Sequence, residues 1–187
     1  TTPVDYVTAR TKCRIWDTAW RGAGVPPALS LDDNGNPEIL HVLSEENIET
    51  HGYYYVRFVD GKWRNTRITS SIHQWNNGYL KRDGKGRLHA YVIVGEGYQD
   101  KAGINYSHGG GRIEHWLSKD QGNTWKLHRD ITPDPTKYPD WSFNNVQPVT
   151  RTDGTVVDGM LVFYGWLDSR MPDGVAFLLD ESNPGRT

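Results

Sequence analysis

The sequence predicts an all-β chain of four-stranded antiparallel sheets set around an axis, a β-propeller. Three observations carry that expectation. Turn residues and the bulkier aromatics dominate the 187 residues, with eight Trp, ten Tyr, twenty Gly and ten Pro against four Phe. That balance favours short strands and tight turns over helices. A turn followed by an apolar strand recurs three times along the chain. One stretch, Ser118-Lys119-Asp120-Gln121-Gly122-Asn123-Thr124-Trp125, carries the carboxylate, glycine and aromatic of a hairpin whose side chains bond its own backbone.

Taken in order, residues 1–16 read as the outer strands of a sheet whose start is missing. Tyr6, in Val4-Asp5-Tyr6-Val7, is there either a strand aromatic or a phenol facing the central funnel. The first inner strand, from Ala28 to Leu31, turns at Asp32-Asp33-Asn34-Gly35-Asn36 into the apolar strand from Glu38 to Leu43. The pattern returns from Tyr79 through Asp83-Gly84-Lys85-Gly86 into Leu88 to Val94. It returns again from Pro148 through Arg151-Thr152-Asp153-Gly154 into Met160 to Tyr164. The near-continuous apolar second strand is what a sheet covered on both faces requires. Outer hairpins repeat too. Tyr53 to Phe58 turns at Asp60-Gly61 into Trp63, and Ile113 to Leu117 turns through 118–124 into Trp125. A tryptophan so placed is large enough to wedge one sheet against the next.

Units of roughly 50–65 residues with four strands match propeller blades. The expected blades are 21–69, 75–132 and 144–181, the last with three strands, plus the partial one at 1–16. Residues 1–187 then form a single partial β-propeller domain, about three to four blades of a larger wheel expected to be seven-bladed. Two uncovered blade faces are costly in water. The remaining blades are therefore expected from another chain or an upstream segment, a compact four-blade ring being the alternative.

Composition narrows the partners. A formal charge of −2 offers no basic field, which argues against nucleic acid. An anionic ligand would have to be held by a few local Arg or Lys. The single Cys13 excludes an internal disulfide and reads as a small hydrophobe. No apolar run approaches the ~18 residues of a membrane span.

In a propeller, the loops leading into each innermost strand gather at the funnel with those joining second to third strands. Residues 16–24 bring Trp20 and Arg21 there. Residues 70–77 bring His73, Trp75, Asn76 and Asn77, and residues 133–145 bring Trp141 and Asn144. The Asn residues either close Asx-turns while the Trp residues pack on neighbouring sheets, or together they form a sugar platform. Arg21 is suited to clamping a carboxylate, with a salt bridge to Asp17 as the alternative, and Arg170 is a second candidate. His73, in a loop, is a candidate general base or a backbone-bonded loop histidine. His41 and His89 read as matching structural positions on second strands, while His115 and His128 read as solvent-facing. His51 and His108 fall in second-to-third-strand loops.

The stretch 118–125 matches S-x-D-x-G-x-T-W and resembles the Asp-box of the bacterial neuraminidase repeat, in every signature position. In overall texture the chain is similar to the propeller polysaccharide lyases that cleave ulvan and to their rhamnose–glucuronate-lyase relatives. Sialidases share the box, but their Arg-Ile-Pro signature is absent from these residues. The resemblance implies β-elimination at a uronic acid in an anionic polysaccharide. Arg21 would neutralise the carboxylate, and Tyr6 or His73 would handle protons. Trp20, Trp75, Asn76, Asn77, Trp141, Asn144 and Arg170 would bind substrate. No cofactor is required for that chemistry, a structural metal is left open, and the expected location is secreted or periplasmic. A sialidase-like glycoside hydrolase, a non-catalytic carbohydrate-binding propeller and a protein-docking scaffold are the competing readings.

Overall fold

The computed structural model describes residues 3–19, 21–22, 27–46, 50–71, 73, 76–95, 110–134, 136–137, 142–166 and 175–180, with the backbone alone at 142, 144, 164–166 and 175–180. Among them the chain is antiparallel β apart from one short helix, α1 (Tyr6–Lys12). The first sheet runs in sequence order through β1 (Ala28–Leu31), β2 (Pro37–Ser44), β3 (His51–Val59) and β4 (Lys62–Ser71). The second does the same through β5 (Gly78–Arg82), β6 (Leu88–Val94), β7 (Arg112–Ser118) and β8 (Lys126–Asp130). The third contains β9 (Ser142–Thr150), β10 (Val156–Trp166) and β11 (Val175–Asp180). The all-β expectation is met.

Each sheet opens on the same turn. The backbone N–H of Asp32 donates to Asn36 O (2.9 Å), that of Asp83 to Arg87 O (2.9 Å) and that of Arg151 to Thr155 O (2.8 Å). Gly35, Gly86 and Gly154 sit at φ of 80°, 76° and 84°, where a side chain is strained. Asp32 and Asp83 each accept two backbone N–H groups of their own turn through Oδ1. This shared chemistry is the physical basis of the sequence repeat. It also fixes register: Glu38 pairs with Ser30 and His89 with Lys81. With the turns aligned, His89 therefore matches Glu38, and His41 matches Val92, which corrects the expected equivalence of the two histidines.

The stretch 118–125 closes the β7–β8 hairpin from within. Ser118 Oγ donates to Asp120 Oδ1 (2.8 Å) and accepts from Gly122 N (2.8 Å), while Asp120 accepts from Thr124 N (2.9 Å) and Thr124 Oγ1 (2.6 Å). The Thr124 bonds lead in pulling the Asp120 carboxyl down to about 2. Trp125 then reaches the first sheet, edge-to-face with Tyr55 at 5.5 Å. Trp63, its counterpart in the first sheet, packs on Phe58 of its own hairpin instead, at 5.2 Å.

Two cores result. Leu40, Val42, Tyr53, Tyr55 and Ile68 of the first sheet meet Leu80, Leu88, Ala90, Val92 and Val94 of the second. On the other side of β6, Tyr91 and Ile93 join Ile113, Phe143, Val146, Leu161 and Phe163 against the third sheet. The second sheet is thus covered on both faces, which is why β6 is apolar throughout. Near the turns, buried Glu38 accepts from Tyr55 OH and from Arg82 Nη2 of the second sheet, and Arg82 Nη1 donates to Gln121 Oε1 (2.8 Å).

Residues 3–16 do not form the expected outer strands. Asp5 caps α1, accepting from Thr8 N (2.8 Å), and Arg10 and Lys12 sit in the last turn, where they favour the helix dipole. No residue of α1 is buried. No described helix is long and apolar enough to cross a membrane.

Candidate functional site at the loop end

The strands place their tight turns at one end and their longer connections at the other, and the expected site residues that are described beyond α1 fall at the latter. After β4 the chain bends around Ser71. Its hydroxyl donates to His73 O (3.0 Å) and accepts from Asn76 Nδ2 (3.2 Å), while Asn76 N donates to His73 O (3.2 Å). Asn77 Oδ1 accepts from Gly78 N (2.6 Å). Tyr53 OH, accepting from Ile93 N (3.2 Å), donates to Asn77 O (3.4 Å). Both asparagines therefore shape the loop. Asn76 is 2% exposed, so its amide is not offered to a sugar hydroxyl, a correction to the expected substrate contact.

That loop sets the His73 ring against His51, with centroids 6.5 Å apart and planes 29° off parallel. His51 opens β3 opposite Ser44 and Ser71, buried rather than in a solvated loop. Ser44 N in turn donates to Gly22 O (3.0 Å), tying the segment around Arg21 to the same end.

Arg21 is half-buried. Its Nε donates to Thr18 O (3.3 Å), and its guanidinium lies 5.2 Å over the Trp16 ring. Asp17 pairs with Arg14 (2.8 Å), and among the described residues Arg21 has no carboxylate partner. Beside it stands a group that sequence reasoning missed. Glu45 accepts from Arg67 through both oxygens (2.5 and 3.2 Å) and from Tyr54 OH (2.9 Å). The Arg67 bonds lead in holding the Glu45 carboxyl below its usual range, with Arg21 contributing charge. Burial first, then the Glu45 bond, pushes the Tyr54 phenol up, so it stays protonated. Trp16 stands edge-on to Tyr54 (5.1 Å) and His41 (5.9 Å), and burial lowers His41 to about 4. Gly52 makes the room, since a Cβ there would fall 2.6 Å from Glu45 Oε1. The one sequence signal was the parity of Tyr53-Tyr54-Tyr55, which points the middle tyrosine away from its neighbours' core.

Tyr6 does not join this group. It lies on α1, 74% exposed, accepting from Arg10 Nη1 (3.1 Å). Trp20, Trp75, Trp141, Arg170 and His108 lie outside the described residues, and of Asn144 only the β9 backbone position is described. His115, expected to face solvent, is 3% exposed; His89 Nδ1 lies 2.8 Å from its Nε2 and His89 Nε2 lies 3.2 Å from Asp83 Oδ2. Among the described residues no group of three or more His, Cys, Asp or Glu is placed to hold a metal.

No protein-family model matches the chain, and no curated protein matches it. Among solved structures, a protein of unknown function from Dyadobacter fermentans DSM 18053 is similar over 81% of this chain, at 17% identity and a TM-score of 0.46. The match spans 45% of that protein's chain.

Proposed function

We propose that the chain is part of a β-propeller that acts on uronic-acid-containing, anionic polysaccharides by β-elimination, at the end of the sheets that carries Arg21 and His73. The observation that carries this reading is Arg21. A half-buried guanidinium stacked on Trp16, with no carboxylate partner among the described residues, is suited to receive one from a ligand. Neutralising a uronate carboxylate acidifies the proton on the adjacent C5. His73 takes that proton, the C5–H electrons form the C4=C5 double bond, and the C4–O4 bond breaks. The departing O4 needs a proton, and Tyr54 takes that role in place of Tyr6, because its phenol stays protonated beside Glu45 at this end while Tyr6 lies exposed on α1.

The propeller architecture is supported by three sheets that share one turn geometry and pack face to face. Leu29 and Leu31 of β1 remain 69% and 61% exposed, apolar surface that a further sheet, from another chain or another part of the protein, would cover. Action on a polysaccharide places the protein outside the cytoplasm, secreted or periplasmic.

The test is to incubate the protein with ulvan and follow the absorbance of the unsaturated uronate. Growth of that band, lost in Arg21→Ala, is expected. New reducing ends without the band would establish a hydrolase and overturn the elimination. Saturable binding without turnover would leave a carbohydrate-binding propeller.

A further inference from the structure

The three sheets pack in a row, and among the described residues no sheet covers the faces at its two ends. One end face belongs to the first sheet and carries Leu29 and Leu31, 69% and 61% exposed. The other belongs to the third sheet and carries half-buried Met160 and Val162. We infer that these two faces are partners across two copies of the chain. The first sheet of each copy docks on the third sheet of the other, and the two equal junctions close a wheel of six sheets.

The registers show what each face is built to meet. Leu29 pairs with Ile39, Leu80 with Ala90 and Pro148 with Leu161, and each stands at the same place before its turn, so the three positions are equivalent. Leu80 is 4% exposed because the first sheet covers it. Leu29, its counterpart, lies open. Trp16 closes only the far part of that face, over His41 and Tyr54. Nearer the turn, Arg82 matches Leu31. Arg82 crosses to Glu38 of the first sheet, their side chains 9% and 2% exposed. A sheet laid over Leu31 therefore needs an apolar residue where the first sheet has Glu38, because a carboxylate buried there would have no cation. The first sheet presents Glu38 at that position and the second His89, on faces that the next sheet already covers. The third presents Met160, which precedes Leu161 as Glu38 precedes Ile39, with Val162 in the place of Leu40. Leucine against methionine thus replaces arginine against glutamate, and both halves of that exchange lie in one sequence. Six sheets fall within the roughly four to eight blades that propellers use.

This inference rests on the propeller architecture proposed above and not on the elimination. A dimer that cleaves no polysaccharide supports it, and a lyase that stays monomeric overturns it. The test is sedimentation equilibrium of the full chain at micromolar concentration, where the mass of two chains is expected. Leu31→Arg and Met160→Glu each bury an unpaired charge at both junctions and should weaken self-association about a hundredfold or more. Mixing the two variants turns one junction into an arginine–glutamate pair and leaves the other as in the wild type. The mixture should therefore form a dimer that neither variant forms alone. Leu31 is exposed in the single chain, so Leu31→Arg keeps its fold, which circular dichroism verifies. If Met160→Glu does not fold, Leu31→Arg alone decides, since a dimer that survives it sinks the inference. A wild-type monomer, folded variants whose mixture stays monomeric, or an assembly that keeps growing with concentration would do the same.

Discussion

Two glycines with nearly the same backbone test how the sheets are joined. Gly35 has φ of +80° and Gly122 +82°, so alanine at either incurs a similar strain of about 1 kcal/mol. Their surroundings differ completely. Nothing lies within 4 Å of a Cβ built on Gly35, whereas one on Gly122 would fall 2.0 Å from Tyr55 Cε1 and 2.5 Å from Cδ1. Those ring atoms are part of a side chain that is 0% exposed, bonded to Glu38 and packed on Trp125. The ring must shift, which costs about 1–3 kcal/mol in overpacking and weakens a charge-assisted hydrogen bond of similar worth. Gly122→Ala should therefore lose about 4 kcal/mol, against a total of roughly 5–15 kcal/mol for a typical domain. In urea, with a slope of about 2 kcal/mol per molar, its midpoint should fall by about 2 M and that of Gly35→Ala by about 0.5 M. Equal falls in the two variants would refute the claim that the hairpin glycine exists to admit Tyr55 from the neighbouring sheet.

Acid should loosen the second sheet before it titrates ordinary carboxylates. Burial, then the charges of His89 and His128, push His115 down to about 3, and burial leads in lowering His89. The folded state thus refuses protons that the unfolded chain accepts below its value of 6.5. Stability is full above that pH and falls below it, by on the order of 2 kcal/mol for His115 at about pH 5, with His89 adding in the same direction. Urea midpoints should drop accordingly, and His115→Gln should flatten the drop. Glu38→Gln strands the buried Arg82 charge and should cost about 3–5 kcal/mol in thermal unfolding, part of it recovered by adding Arg82→Met. On polysaccharide, His73→Ala should lower kcat about a hundredfold or more, whereas Tyr6→Phe, on an exposed helix, should leave it unchanged. A loss of turnover in Tyr6→Phe would reinstate the phenol that the structure sets aside.

What could be read from the sequence was local chemistry. The Asp32 and Asp83 turns, the 118–125 hairpin and the doubly apolar β6 announce themselves within ten residues, because backbone and side chain satisfy each other there. The helix at the start was legible in principle, since Asp5, Thr8 and the basic Arg10 and Lys12 are cap and dipole signals. Val4 and Tyr6 flanking Asp5 fit a strand as well, so the local pattern admits both. His115 was misplaced for a different reason. Alternation tells which face of a strand a residue occupies, but not whether another sheet covers that face. The group of Arg21, Glu45, Tyr54 and Arg67 was hidden, apart from the parity of Tyr54, because its members lie far apart in sequence and meet only once β3 sets Tyr54 opposite Arg67 and Ser44 N holds the Arg21 segment through Gly22 O. Asn76 was named for the right loop and the wrong direction.

The placement of β6 between two apolar cores has a kinetic consequence. Its amide protons cannot meet solvent while both neighbouring sheets remain docked, so their deuterium uptake should follow rupture of the entire stack. Outer strands such as β8, open along one side, should exchange through smaller fluctuations. The centre of this chain would then be its slowest clock, and Tyr91 and Val92 the two residues on which to read it.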